Sequence, residues 1–214
     1  MSPNITSETA DPTRVSRLLL MGPPGSGKRT QGVTLAQRLE VPSLSTGDLF
    51  RAMMSYDTPL AARIRDAVGH GGYVDDDTTN AAIGEKLEAP ECRQGFLLYG
   101  YPRTIGQAEH LDHLLAGQHA QLDAVVCLEV GESELVARLH AREQQLGRID
   151  DQHETVGPRL RLYHEKTAPL VDAYRQRGLL IKVDATGTVR QVAERIDTAL
   201  RERSKPTPGN IPTH

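Results

Sequence analysis

An α/β fold, with a parallel sheet covered by helices on both faces, is the class this chain predicts. Short apolar runs, "RLLLMG", "GFLLYG", "AVVCLEV" and "GLLIKVD", recur along the sequence. A strand buried on both faces needs a continuous run of this kind rather than an alternating one. Between the runs lie longer stretches whose apolar residues return at helical spacing. Strand and helix alternating in this rhythm build a parallel sheet, and ligands of such sheets bind beyond the carboxyl ends of the strands.

The elements follow in order. The first run, "RLLLMG", leads into a glycine-rich turn and then a helical segment, "KRTQGVTLAQRL". After "GFLLYG", Leu111 and Leu114 or Leu115 share a helix face, and after "AVVCLEV" Leu135 and Leu139 do the same. From Thr155 to Tyr174 the pattern is helical again, with Pro169 predicting a kink or break because it lacks the N–H a helix interior needs. Beyond "GLLIKVD", Val189, Val192, Ile196 and Leu200 form a longer stripe. Thr188 followed by Gln191 fits a capping box at its start.

Composition bounds the function. A chain of 214 residues holds one α/β domain with small insertions, or at most two compact domains. Its apolar fraction of 38% beside 25% charged residues is that of a soluble globular protein. A net charge of -3 leaves no basic excess to mark nucleic acid as a partner. No apolar run approaches the roughly 18 residues of a membrane span. The leader "MSPNITSETADPTR" is polar, without the apolar core of a signal peptide, so residues 1–14 and 204–214 are expected to be flexible tails. The 2 cysteines, Cys92 and Cys127, lack metal-knuckle spacing, and reduced buried thiols in a cytoplasmic protein are the expectation.

The stretch "GPPGSGKRT", Gly22 to Thr30, carries the strongest chemical signal. Gly22, Gly25 and Gly27 let backbone N–H groups turn inward around an anion, and the helix beginning near Lys28 points its positive end there. Lys28 then meets the terminal phosphates as a point charge. The plainer alternative is a Gly/Pro turn before a helix that happens to carry a lysine. The complete spacing, with a strand before and a helix after, favours the nucleotide loop.

This loop, with "QG" in the helix behind it, resembles that of the nucleoside monophosphate kinases, and the resemblance covers the chain from about residue 18 to 200. "STGDLFRAM" (Ser45 to Met53), "GFLLYGYPRTIGQAEHL" and "GRIDDQHETVGPRLRLYHEKTAPLVDAY" match further family segments in the right order. The chain resembles a short-lid adenylate kinase. That implies a three-layer P-loop domain (15–44, 75–140 and 152–203), a helical monophosphate-binding insertion at 45–74 and a short lid at 141–151. It also implies a monomeric kinase of nucleotide biosynthesis with ATP and AMP or ADP as ligands, converting ATP and AMP to two ADP.

The resemblance also implies roles, one residue at a time. Gly25, Ser26, Gly27, Lys28, Arg29 and Thr30 cradle the ATP phosphates, Arg138 and Arg142 face them from the lid side, and Gly187 in "DATGTV" grips the donor adenine through main chain. Arg51 and Arg103 hold the acceptor phosphate, while Arg148 and Arg159 bridge toward the transferring group. Lys28, Arg103, Arg142, Arg148 and Arg159 form the catalytic set. Arginine suits this work because its planar fork takes phosphate oxygens in pairs and stays charged. Thr46 and Gln107 meet the acceptor adenine, an amide being able to donate and accept along a purine edge. Gly72, Tyr73 and Val74 close the acceptor pocket, and Gly100, Tyr101 and Pro102 line it. Asp150 and Asp151 help to order the lid. Arg175, Arg177, Arg201 and Arg203 are expected to be solvated, as are the histidines His110, His113, His140 and His153. No cysteine set falls between Arg142 and Arg148, so a zinc-stabilised lid is not expected.

Two departures stand out. The family usually has glycine where this chain has Arg29, and aspartate where it has Tyr99. Magnesium is implied as the companion of the nucleotide, with no direct ligand from the protein, and the departures add a cation and remove an acid at what looks like one place. One reading is that the Arg29 guanidinium sits near the ion's position, weakening the metal site and slowing turnover. The other is that Arg29 points to solvent, Tyr99 packs under the loop and magnesium still rides on the phosphates. Two further alternatives stay open: a nucleotide-binding or sensor protein that has lost turnover, and a kinase for another nucleoside monophosphate.

Overall fold

The computed structural model describes residues 16–146 and 153–204. The residues 1–15, 147–152 and 205–214 fall outside it, and with them Arg148, Asp150, Asp151 and most of both tails. Five strands, β1 (Arg17–Met21), β2 (Ser43–Ser45), β3 (Phe96–Tyr99), β4 (Ala124–Glu129) and β5 (Leu180–Asp184), form one sheet in the order β2-β3-β1-β4-β5. Every pairing is parallel. The helices are α1 (Lys28–Leu39), α2 (Thr46–Met54), α3 (Pro59–Gly69), α4 (Asp76–Leu87), α5 (Ile105–Gly117), α6 (Glu132–Leu146), α7 (His153–Leu162), α8 (Ala168–Gln176) and α9 (Val189–Ser204).

The four apolar runs are the four long strands, and their side chains divide by parity between two cores. Leu19, Met21, Phe96, Leu98, Val125 and Cys127 pack against Ile83 and Leu87 of α4, Leu111 and Leu115 of α5, and Leu170 and Tyr174 of α8. Leu18, Leu20, Leu97, Tyr99, Val126 and Leu128 pack on the other face against Leu35 of α1 and Val192, Ile196 and Leu200 of α9. Alternate residues of a strand point to opposite faces, so burying both demands apolar residues throughout. Cys92 and Cys127 are buried and free. The short edge strand β2 has no apolar run of its own and pairs only with β3.

Several helix starts are capped by their own sequence. Ser45, Thr58, Asp75 and Thr104 each accept a bond from the backbone N–H three residues on. Thr188 and Gln191 close the expected box: Thr188 N donates to Gln191 Oε1 at 2.9 Å and Gln191 N to Thr188 Oγ1 at 3.3 Å. One member of the α9 stripe is corrected, because Val189 is exposed whereas Val192, Ile196 and Leu200 are buried. Val189 is the first helical residue and lines the cavity beside Gly187. The irregularity at Pro169 takes the form of a π-helical turn, Tyr163–Thr167, joining α7 to α8, so the proline stands in the first turn of α8, where its missing N–H costs little. Arg177 is not merely solvated: it holds Asp112 with both terminal nitrogens, at 2.8 and 2.9 Å, and lies over the Tyr174 ring.

Residues 45–74 share a small core of their own, Phe50, Ile64 and Val74, with Met53, Met54, Leu60, Ala67 and Val68 around it. α6 runs on to Leu146, so the first part of the segment expected as a lid continues that helix. Chain order and strand order diverge at β1, which lies between β3 and β4. The crevice past its carboxyl end is where such sheets bind ligands, and the glycine loop leaves β1 there.

Candidate active site

The loop from Gly22 to Gly27 turns directly off buried Met21 into α1, with Gly27 at the helix cap in the left-handed region (φ 89°). A residue with a Cβ is strained in that conformation, and glycine is not. Lys28 reaches back into the loop, its ammonium donating to Gly22 O at 2.8 Å and Pro23 O at 2.7 Å. Burial, reinforced by Arg103, Arg159 and Arg142, lowers its pKa from 10.5 to about 7. A loop that encloses a lysine among guanidinium groups is built for an anion that would restore the proton's stability.

A central cavity opens over this loop. Its cations are Lys28, Arg29, Arg51, Arg103, Arg142 and Arg159, and no carboxylate lines it among the described residues. Two further cavities share its walls. One is bounded by Gly25, Ser26, Gly27, Thr30, Gln31, Arg138, Arg142, Ala185, Gly187 and Val189. Arg138 donates to Ala185 O at 2.9 Å and Gln31 Nε2 to Val189 O at 2.9 Å, which tie the turn containing Gly187 to α6 and α1.

The second cavity lies toward the insertion, between Thr46, Phe50, Arg51, Gly72, Tyr73, Val74, Gly100, Arg103, Gln107 and Arg159. Thr46 Oγ1 donates to Gly100 O at 2.7 Å. At Gly100 (φ 79°) a Cβ would stand 2.6 Å from that hydroxyl, so the close approach requires glycine. Gln107 is buried with its amide oriented at both ends, accepting from Arg103 N and donating to Asp76 Oδ1, each at 2.7 Å. One lone pair and one N–H of that amide remain for a ligand. Arg103 lies over the Tyr73 ring, 4.8 Å from its centroid, and its Nε donates to Gly100 O at 2.7 Å. Thr167 Oγ1 donates to Arg103 O at 2.9 Å and so accepts from the Tyr73 hydroxyl, also at 2.9 Å. Tyr101, after which the peptide to Pro102 is cis, donates to Asn80 Oδ1 at 2.7 Å.

The expected site residues within the described chain therefore line these three connected spaces; Arg148 lies outside it. The sequence reading missed the polar groups that hold them. Asp76 fixes Gln107 and Thr104, Thr167 fixes Arg103, and Asp48 meets Arg51 at 2.6 Å. Only Asp48 had a local signal, its spacing of three from Arg51 on one helix. The two departures do meet at one place. Arg29 Nε stands 3.3 Å from Asp48 Oδ1, and the Tyr99 hydroxyl donates to Asp48 Oδ2 at 3.3 Å. Burial raises the Asp48 carboxyl, but the Arg51 hydrogen bond and charge, with Arg29 and Ser45, outweigh it and hold the group below the ordinary carboxylate range.

Among the described residues, few groups of the cleft could ligate a divalent cation. With no acid on the described cavity wall and both Asp48 oxygens engaged, the donor set does not fit a protein-held metal. Among the described residues, no group of three His, Cys, Asp or Glu side chains is placed to hold one.

The comparisons agree with this geometry. Residues 20–179 match the family model described as "Adenylate kinase". An adenylate kinase of Clavibacter michiganensis subsp. michiganensis is 45% identical over 189 residues, covering 88% of this chain and 94% of that protein. One from Thermobifida fusca is 45% identical over 88% of this chain and 100% of its own length, and one from a Nocardioides species 45% identical over 86% and 96%. A nucleotide loop off the central strand, flanking cavities joined by a cationic cleft, and likeness across nearly the whole length lead to one conclusion: the chain belongs to the adenylate kinase family.

Proposed function

We propose that this protein transfers the terminal phosphoryl group of ATP to AMP, yielding two ADP, and that it does so as a monomer in the cytoplasm. The observation that carries the reading is the pair of cavities opening from one cleft lined by six cations. The donor lies with its base near Gly187 and its phosphates over Gly25–Thr30; the acceptor lies with its base near Thr46 and Gln107 and its phosphate toward Arg51 and Arg103. Chemistry between two polyanions is chiefly positioning and charge offset. An acceptor phosphate oxygen attacks the terminal phosphorus, the bond to the bridging oxygen breaks, and Lys28, Arg103, Arg142 and Arg159 stabilise the spreading charge. Base selection rests on the remaining lone pair and N–H of Gln107, which suit a purine edge. A coupled assay for ADP with AMP, GMP, CMP and UMP as acceptors tests the reading; turnover fastest with AMP is expected, and none with AMP would refute it.

Magnesium would enter with the nucleotide phosphates in this reading, and turnover is slow because, among the described residues, no carboxylate lines the central cavity to orient its water shell. The engagement of Asp48 by Arg29 and Tyr99 supports this. Restoring the usual residues with Arg29→Gly and Tyr99→Asp together should raise kcat and steepen its dependence on magnesium. A wild-type enzyme already fast, steeply magnesium-dependent and unimproved by the double change would refute it.

A further inference from the structure

We propose that Asp48 is a positioning residue for the acceptor phosphate, and that Arg29 and Tyr99 hold it in that role by tying the phosphate-loop helix to the helix carrying Arg51. This rests on the reading of the cavity beside α2 as the acceptor site.

Three elements meet on this one carboxylate. Arg51 of α2 approaches Oδ1 at 2.6 Å, Arg29 of α1 approaches the same oxygen at 3.3 Å, and Tyr99 at the end of β3 donates to Oδ2 at 3.3 Å. The tyrosine is a rigid anchor, because its buried ring lies so close to Gly32 that a Cβ there would come within 2.9 Å of it. Its hydroxyl thus fixes where the carboxylate sits. The Arg29 side chain is 60% exposed and Asp48 36%, and pairs in water contribute little to stability. What the contact supplies is geometry and charge. Arg51 lines both the central and the acceptor cavity, and a guanidinium held from one side by a carboxylate presents its other donors in a fixed direction.

The charge count makes the case for Arg29. Asp48 and Arg51 alone sum to zero, so an arriving phosphate dianion meets a neutral pair and competes with Asp48 for the arginine. With Arg29 added the group carries a net +1, and Asp48 keeps Arg51 in place while the other donors of that guanidinium meet the phosphate. Arg29 therefore acts on the acceptor through Asp48.

Steady-state kinetics on the full chain, with AMP varied at saturating ATP, test this, and thermal melts confirm that each variant folds. Arg29→Ala is expected to raise KM for AMP about fivefold, a larger factor than any change in kcat or in KM for ATP, a ligand that Arg29 meets only as one member of the phosphate loop. Arg29→Lys should recover part of the loss. Tyr99→Phe, which keeps the ring against Gly32, should move KM for AMP in the same direction. In an Asp48→Asn background, Arg29→Ala should change KM for AMP less than about twofold, because the group it acts through is gone. An Arg29→Ala effect confined to kcat or to KM for ATP, or one that persists in full beside Asp48→Asn, overturns the proposal. A wild-type enzyme that makes no ADP from AMP removes instead the acceptor reading beneath it, so the two failures are separable.

Discussion

A lysine enclosed by a phosphate loop and faced by Arg103, Arg159 and Arg142 gives up its proton near pH 7 rather than 10.5. The sign of the consequence follows from linkage: the unfolded chain binds that proton between about 7 and 10.5 and the native state does not. This group's contribution to stability therefore rises with pH across the window and is flat above it. A bound triphosphate reverses the effect, so near pH 8 ATP binding should take up close to one proton. Calorimetry in two buffers of different ionisation enthalpy would measure it, and Lys28→Met should abolish the uptake and weaken ATP. Arg103 makes the complementary case. A charge-assisted bond to phosphate contributes about 1.5–3 kcal/mol, so Arg103→Ala should weaken AMP about tenfold or more and spare ATP; equal losses for both would argue against separate sites. Lys28 and its glycines were legible because the loop is local: the ammonium bonds Gly22 O and Pro23 O, six and five residues back. Asp48 was not, since its meaning needs α1, α2 and β3 in one place.

At the scale of elements, α9 offers the cleanest measurement. Its box of Thr188 and Gln191 satisfies backbone donors that water would otherwise have to reach. Thr188→Ala should cost about 1 kcal/mol, seen as a fall in Tm of about 2–4 °C for a chain of this size. The box and the four long strands could be read in advance because each is specified by its own residues. β2 could not: "SLS" has one apolar side chain, and it is a strand because β3 offers it partners. The helices "TGDLFRAMM" and "PLAARIRDAVG" were reached through resemblance, since their apolar residues are buried together in a small cluster around Phe50, Ile64 and Val74. The residue sets of both flanking cavities were likewise carried over from family likeness, and the hydrogen bonds that orient them appeared only with the fold.

For the whole molecule, the basic side chains gathered on one cleft wall make a site that an anion stabilises. Sulfate exchanged for chloride at fixed ionic strength should therefore raise the Tm of the ligand-free protein, and a dinucleotide spanning both cavities should raise it further in a concentration-dependent way. An unchanged Tm in both cases would show that the cleft does not gather polyanions. The π-helical turn Tyr163–Thr167 bears on how the molecule can change over generations. Thr167 at its end secures Arg103, and Leu170 and Tyr174 beyond it belong to the main core, while Val156 and Leu160 before it pack with α6. Removing one residue from the turn would give a more regular helix, yet it would rotate one half against the other by about 100°. Either the cleft or the core would lose its partners, so this segment tolerates substitution far better than any change of length.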